Sequence, residues 1–239
     1  MKTYQQLREE RRTEAAEYLK NHQYRALVDN DDVKVWRCKQ PNTNAYAFDI
    51  MLTRFGIAVV GDIANLTFGV GLAYGLEFLA GNDVGYYIHS KLDEKCKTRE
   101  FDEAAFRRAI IAGVCQRIAE EVLGDDDSEA LPRWVHEEAE RGADGSRWND
   151  LRDLVTAEAK KDDAADEWDQ WGDLLAEATD IGDEHQAGAF MNEHCETLGL
   201  GPDWWEISVT NPSESLMREL YMIRHAALAI LAQKQAAAA

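Results

Sequence analysis

Large hydrophobic residues occupy every second position along the segment 45–52. Tyr46, Phe48, Ile50 and Leu52 alternate with Ala47, Asp49 and Met51. A repeat of two places alternate side chains on opposite faces, as in a strand with one buried face. The other β-rich segments are 33–38, 57–60 and 66–68. Short turns join these segments, which favours three or four antiparallel strands.

The spacing of apolar residues becomes helical in the next part of the chain. From Ala105 onward, apolar side chains recur every three or four positions, as on the buried face of an amphipathic helix. Asp102 precedes this segment, and an aspartate there can accept a hydrogen bond from the first helical turn. The pattern predicts one helix over 102–123.

A second helix start stands near the end of the chain. Asn211 is suited to the cap, Pro212 to the first helical position and Glu214 to the closure of a capping box. The pattern predicts a helix over 212–234. Its predicted buried face consists of Leu216, Leu220, Ile223, Ala227, Ile230 and Leu231.

Together these elements predict an α+β fold, with a small antiparallel sheet of three or four strands near the N-terminus and a larger, acidic, mostly α-helical remainder. A charged helix over 3–22 precedes the sheet. The domain boundary is expected near residue 100. Residues 1–100 would hold the first helix, the sheet and short helices, and residues 101–239 the acidic helical region. The pattern leaves open whether the two pack as one domain.

The excess of negative charge lies in the second part of the chain. The formal net charge is −19. Residues 1–100 contain 14 basic and 14 acidic residues, whereas residues 101–239 contain 12 basic and 31 acidic ones. Within 120–206 the local net charge is −21, from 27 acidic and 6 basic residues. Such a surface repels nucleic acid and anionic lipid and attracts basic partners.

Composition also disfavours membrane and secreted proteins. No apolar stretch reaches the length of about 18 residues that a membrane span needs. The first residues run directly into charge, without the apolar segment of a secretory signal. The four cysteines lack CxxC spacing, which predicts free thiols in a reducing compartment. We therefore expect a cytoplasmic protein without a metal or a cofactor.

Two interpretations of the acidic part remain open. Charge runs of this kind occur on solvated helix faces. They can also imitate a nucleic-acid backbone, which carries one charge per about 1.7 Å of duplex axis. The tryptophans among them either pack in a core or anchor a protein partner, as tryptophan does at interface hot spots. The candidate partner-binding residues are Asp162, Asp163, Asp166, Glu167, Asp169, Asp173, Trp168 and Trp171.

A glycine-rich segment, Gly69–Gly75, raises the alternative of a phosphate-binding loop. Its spacing is GxGxxxG rather than GxGxxG, and no P-loop lysine with serine or threonine follows. A strand-to-helix connection explains the same glycines. Combined with the Gly61-Asp62 turn, the segment supports only an alternative function, a nucleotide-binding or small-molecule-binding protein or enzyme.

Two further groups of residues carry potential chemistry. Asp49 and Asp62 lie on neighbouring predicted strands and can form a carboxylate pair for acid–base catalysis, although no nucleophile motif accompanies them. His185, His194 and Cys195 are metal-ligand types. At about 100° per residue, however, the two histidines fall on opposite faces of one helix. For both groups a structural role is the favoured interpretation.

Several short motifs between residues 33 and 92 follow one another in a recognisable order. They are VWRCKQP at 35–41, FDI at 48–50, GDI at 61–63, LTF at 66–68 and GYYIHSKL at 85–92. The set resembles a group of uncharacterised proteins from tailed-bacteriophage genomes. The resemblance implies a viral origin and an accessory role in the infected cell. Phage accessory proteins often antagonise host defence, including CRISPR systems. No activity or catalytic residue comes with the resemblance.

The leading hypothesis is therefore a phage-encoded, non-enzymatic inhibitor that binds a host nucleic-acid-binding defence complex through its acidic surface, in the manner of an anti-CRISPR protein. Electrostatic attraction to a basic groove would exclude DNA or RNA from that groove. The first alternative is the nucleotide-binding or small-molecule-binding protein or enzyme. The second is a structural, self-associating phage protein, so homo-oligomerisation is left open.

Overall fold

The computed structural model describes residues 3–122, 131–141, 146–161, 166–201 and 203–238. The chain forms two compact units. Unit 1 consists of Met1–Arg99 and Pro212–Ala239, and unit 2 of Glu100–Asn211. Unit 2 is therefore inserted in the sequence of unit 1.

The chain combines helices and strands in an α+β arrangement, as the sequence predicts, with five consecutive strands near the N-terminus. The strands are β1 (Gln23–Asp29), β2 (Val33–Lys39), β3 (Phe48–Thr53), β4 (Gly56–Gly61), β5 (Asn65–Phe68), β6 (Arg99–Phe101) and β7 (Thr210–Pro212). The α-helices are α1 (Tyr4–Leu19), α2 (Gly75–Leu79), α3 (Glu103–Arg117), α4 (Arg133–Arg141), α5 (Trp148–Glu158), α6 (Asp166–Thr179), α7 (Glu184–His194) and α8 (Glu214–Ala238). Among the described residues, no helix combines the length and the apolar character that crossing a membrane would require.

Strands β1 to β5 form one antiparallel meander in sequence order. Alternation places Trp36, Ile50 and Val59 directly opposite one another on the buried face. Together with apolar residues of α1, α2 and α8, this face forms the core of unit 1. The predicted antiparallel sheet over 33–68 is confirmed. A second, two-stranded sheet pairs β6 with β7, where the chain enters and leaves unit 2.

Strand β1 adds a fifth strand that the sequence does not predict. It lies at the edge of the sheet, and all of its residues except Tyr24 are exposed. An edge strand with little burial lacks the alternation on which a sequence prediction depends. A bulge between Ala26 and Val28 further interrupts its pairing with β2.

The last helix begins later than predicted. Ser213, not Asn211, is the capping residue, because its hydroxyl accepts a hydrogen bond from the amide of Leu216 at 3.2 Å. Asn211 and Pro212 belong to β7, and the Asn211 amide group donates to Asp102 at 2.6 Å. The predicted buried face of α8 is confirmed. This face packs within unit 1, whereas the sequence grouped residues 212–239 with the acidic region.

Unit 2 is helical around its own core, which includes Phe106, Ile110 and Val114 of α3. The predicted cap of α3 is confirmed, since Asp102 Oδ1 accepts from the Ala105 amide at 2.9 Å. The α-helix ends at Arg117, and a π-helical segment continues it over Ile118–Val122. The predicted end of this helix at residue 123 lies outside the described residues.

All four cysteines are free thiols, as predicted. Cys38 and Cys115 are fully buried. Burial raises the pKa of both thiols, that of Cys115 to about 12, which suppresses the reactive thiolate. Cys96 and Cys195 are partly exposed.

This difference predicts the outcome of a thiol titration. With a chromogenic disulfide reagent at neutral pH, Cys96 and Cys195 should react in the native protein, because these two residues are partly exposed. Cys38 and Cys115 should react only after denaturation. The measurement is the absorbance released before and after urea is added. Rapid reaction of all four thiols in the native protein would contradict the burial described above.

Candidate functional site

Helix α6 carries the described part of the acidic surface on one side and core residues on the other. Its buried positions are Trp168, Trp171, Leu174, Leu175 and Ala178. Its exposed acidic positions are Asp166, Glu167, Asp169, Asp173 and Glu177. Three of the acidic residues lie in the first turn, where the helix dipole favours negative charge. Asp162 and Asp163 of the predicted surface lie outside the described residues.

Four of these carboxylates form a row along α6, which we call the α6 row: Asp166, Asp169, Asp173 and Glu177. Their spacing of i, i+3, i+7 and i+11 keeps them on one side of the helix. At about 1.5 Å per residue the row extends over about 16 Å of the helix axis. A helical row of like charges is the arrangement that the mimicry interpretation requires.

The α6 row is electrostatically unbalanced within the described residues. On α5, Asp150 and Glu158 pair with nearby cations, Arg147 and Lys161. No such pair engages Asp166, Asp169 or Asp173 in the described part of the chain. Like charges at i,i+4 destabilise an isolated helix by about 0.2–0.5 kcal/mol per pair. The i,i+4 pairs Asp169–Asp173 and Asp173–Glu177 therefore oppose helix formation, whereas the first-turn carboxylates gain from the helix dipole.

The tryptophans of α6 belong to the core rather than to the surface. Trp168 is 4% exposed and Trp171 is 1% exposed. Their rings meet edge to face, with centroids 5.1 Å apart and an interplanar angle of 89°. The core-packing interpretation is thus confirmed, and neither ring is available to anchor a partner. The pair fixes the rotation of α6, which keeps the row of carboxylates directed to solvent.

The histidine and cysteine candidates do not assemble into a metal site. No group of three or more metal-ligand side chains is placed to share an ion in the portion of the chain described. The His194 ring packs against Phe190, with centroids 4.7 Å apart. Its Nε2 lies 3.5 Å from the Glu177 carboxylate. His185 is exposed on α7. His194 thus packs against an aromatic ring, and His185 is exposed to solvent.

Asp49 and Asp62 each have a structural partner. The Arg37 guanidinium donates two hydrogen bonds to the Asp49 carboxylate, at 2.9 and 2.8 Å. The Asp62 carboxylate accepts from the Tyr46 amide at 2.7 Å, and the Asp62 amide donates to Ala47. These bonds hold a cross-strand pair and a turn, and they support the structural interpretation of both aspartates.

The glycine-rich segment 69–75 is a compact connection between β5 and α2. The Gly69 amide donates to the carbonyl of Lys91 at 2.8 Å, and the Tyr74 amide donates to Gly71 at 3.1 Å. The helix that follows has only five residues. Since these amides are already used and α2 is short, the arrangement gives no support to a phosphate cradle.

A cleft of unit 2 contains Cys195 but none of the predicted partner-binding residues. It measures about 490 Å³ and is lined in part by Arg117, Cys195 and Trp204. Arg117 donates to the Glu196 carbonyl at 2.6 Å and packs over Gly199. Among the described residues that line it, no histidine accompanies the thiol, so no nucleophile–base pair forms. No spacing motif in the sequence marks this cleft.

Comparisons with protein-family models, curated proteins and solved structures find no match for the chain. The functional assignment therefore depends on the chemistry of the surfaces described above. The α6 row is one such surface, and the α7 segment carries further exposed acidic residues. The exposed acidic residues of the α7 segment are Asp183, Glu184, Glu193 and Glu196.

Proposed function

We propose that the protein is a non-enzymatic binding protein whose acidic unit occupies the basic groove of a nucleic-acid-binding partner. The observation that carries the proposal is the α6 row, whose first three carboxylates have no cation partner among the described residues. A buried tryptophan pair fixes the helix that presents them. The charge of the whole unit supports the proposal, because residues 100–211 contain 30 acidic and 9 basic residues.

The geometry of the row suits competition with a nucleic acid. Consecutive carboxylates of the row are three or four residues apart, which corresponds to about 4.5–6 Å along the helix axis. This is the same order as the spacing of about 3.4 Å between charges along one strand of a duplex. A net charge of −21 on unit 2 would accelerate the encounter with a basic groove, and the bound protein would then exclude the nucleic acid.

The resemblance of residues 33–92 to proteins of tailed bacteriophages favours one class of partner. In this proposal the partner is a host defence complex that binds DNA or RNA, such as a CRISPR effector. Unit 1 serves as a scaffold or as a second contact. The proposal involves no catalytic residue, and the satisfied hydrogen bonds of Asp49 and Asp62 agree with that.

The proposal is tested with a charge-reversed variant, Asp166→Lys with Asp169→Lys and Asp173→Lys. The matched control is Glu14→Lys with Asp31→Lys and Asp32→Lys, which changes the net charge equally at exposed positions of unit 1. The partner is first captured from host lysate with the wild-type protein and identified by mass spectrometry. Association rates are then measured at low and high salt.

The row variant should associate at least about tenfold more slowly at low salt, because the charges that steer the encounter are reversed. The control variant should stay within about twofold of the wild type, since its substitutions lie outside unit 2. Wild-type protein should also displace labelled DNA or RNA from the partner. The proposal fails if the partner holds both ligands at once, or if the row variant binds as well as the wild type.

A further inference from the structure

The face of the five-stranded sheet opposite the core carries a row of charges across three strands. Arg25 of β1 lies directly opposite Arg37 of β2, and Arg37 lies directly opposite Asp49 of β3. Gln23 and Lys39 form the neighbouring pair, two residues along each strand and therefore on the same face. These two pairs line a concavity of about 290 Å³ at the edge of unit 1.

One arginine of this row is already oriented by an acidic partner. Arg37 donates from Nε and Nη2 to the two oxygens of Asp49, at 2.9 and 2.8 Å. This hydrogen-bonded pair raises the pKa of Arg37. The bidentate geometry shows that a planar oxyanion fits an arginine at this point of the sheet.

The other two cations have no such partner. Within the described residues, no ion pair engages Arg25 or Lys39. From β3 to β1, the row therefore consists of one negative charge, on Asp49, and two positive charges, on Arg37 and Arg25. Like charges directly opposite each other in a sheet are destabilising. An anion bound between the two arginines would restore the alternation of charge that the Arg37–Asp49 pair begins.

We propose that this concavity binds the oxyanion group of a small anionic ligand, a phosphate or a carboxylate, between Arg25 and Arg37 with Lys39 as the third cation. Arginine donates two parallel hydrogen bonds to either group. Gln23 and Gln40 at the rim provide neutral donors for further oxygens. No aromatic ring is present among the described residues that line the concavity, so single-stranded nucleic acid has no stacking platform there.

The site is independent of the α6 row, because all of its residues belong to unit 1. The full chain is titrated with two probes, pyrophosphate and citrate, by isothermal titration calorimetry in a low-salt buffer free of other multivalent anions. The variant is Arg25→Gln with Lys39→Gln. The matched control is Arg54→Gln with Lys95→Gln, which removes the same charge at other exposed positions of unit 1.

We expect at least one probe to bind the wild-type protein, and the site variant to raise the Kd at least about tenfold, because it removes two of the three charged donors. The control should stay within about twofold. Binding of pyrophosphate alone identifies a phosphoryl ligand, and binding of citrate alone a carboxylate. The proposal is overturned if neither probe binds more tightly than about 10 mM, or if the site variant binds as the wild type does.

A second readout separates a ligand site from a merely structural cluster. Without any probe, Arg25→Gln should leave the melting temperature unchanged or raise it, because it removes the repulsion from Arg37. With a saturating probe, the melting temperature of the wild type should rise and that of the site variant should not. A fall in the melting temperature of Arg25→Gln without probe would show that Arg25 stabilises the fold, and would overturn the argument from repulsion.

Discussion

Replacing Trp171 by alanine is expected to lower the free energy of unfolding of unit 2 by about 3–5 kcal/mol, the range for a buried aromatic side chain. Trp171 is 1% exposed and is among the largest fully buried side chains of the protein. Its removal leaves a cavity and also removes the edge-to-face contact with Trp168. Urea denaturation followed by far-ultraviolet circular dichroism measures the change.

Trp205→Ala is the matched control, because it removes the same side chain from a position that is 62% exposed. Its effect should remain within about 0.5 kcal/mol, as for other exposed substitutions. Equal effects of the two substitutions would show that Trp171 is not a core residue. The tryptophan pair would then not hold α6 as described.

Gly113→Ala should destabilise unit 2 by about 2 kcal/mol or more, because the added methyl group would overpack a rigid contact. A Cβ atom at Gly113 would lie 2.0 Å from the carbonyl oxygen of Leu198. That oxygen belongs to the backbone, so relief requires α3 or the segment after α7 to move. The change in the midpoint of urea denaturation measures the effect.

Gly188→Ala adds the same methyl group but is expected to stabilise the protein rather than destabilise it. Gly188 lies within α7, and nothing occupies the space of its Cβ within 4 Å. Alanine should therefore stabilise that helix by about 0.5–1 kcal/mol, the usual advantage of alanine over glycine in a helix interior. Stabilisation by both substitutions would contradict the close approach of α3 to Leu198.

The parts of the fold that the sequence predicts correctly depend on local signals. The alternation around Ile50 gives β3, and Asp102 gives the start of α3, because each signal involves residues a few positions apart. The edge strand β1 is not predicted, because it is mostly exposed and therefore lacks an alternation of apolar and polar residues. The start of α8 is displaced because Asn211 is taken up by β7 and its side chain bonds Asp102, a residue distant in the sequence.

The candidate sites also fall into two groups: those that local sequence signals predict and those that depend on strand register or tertiary packing. The carboxylates of α6 can be found from composition and helical spacing, and the burial of Trp168 and Trp171 follows from the same periodicity. The opposition of Arg25 and Arg37 depends on the register of β1 against β2. This register cannot be predicted from the sequence pattern, because a bulge in β1 shifts the pairing of the hairpin. Arg117 and Cys195 meet in one cleft only through tertiary packing.

The insertion of unit 2 within unit 1 has a consequence for biosynthesis. Strands β1 to β5 leave the ribosome before unit 2 is made, whereas α8, which completes their core, emerges only after it. Apolar side chains such as Ile50 and Val59 therefore lack their C-terminal cover throughout the synthesis of unit 2. Domains usually fold in order of synthesis, and exposed strands favour aggregation during such a delay. Here the inserted acidic unit, contiguous in sequence, can complete its fold first, and its charge can keep the nascent chain soluble until α8 arrives.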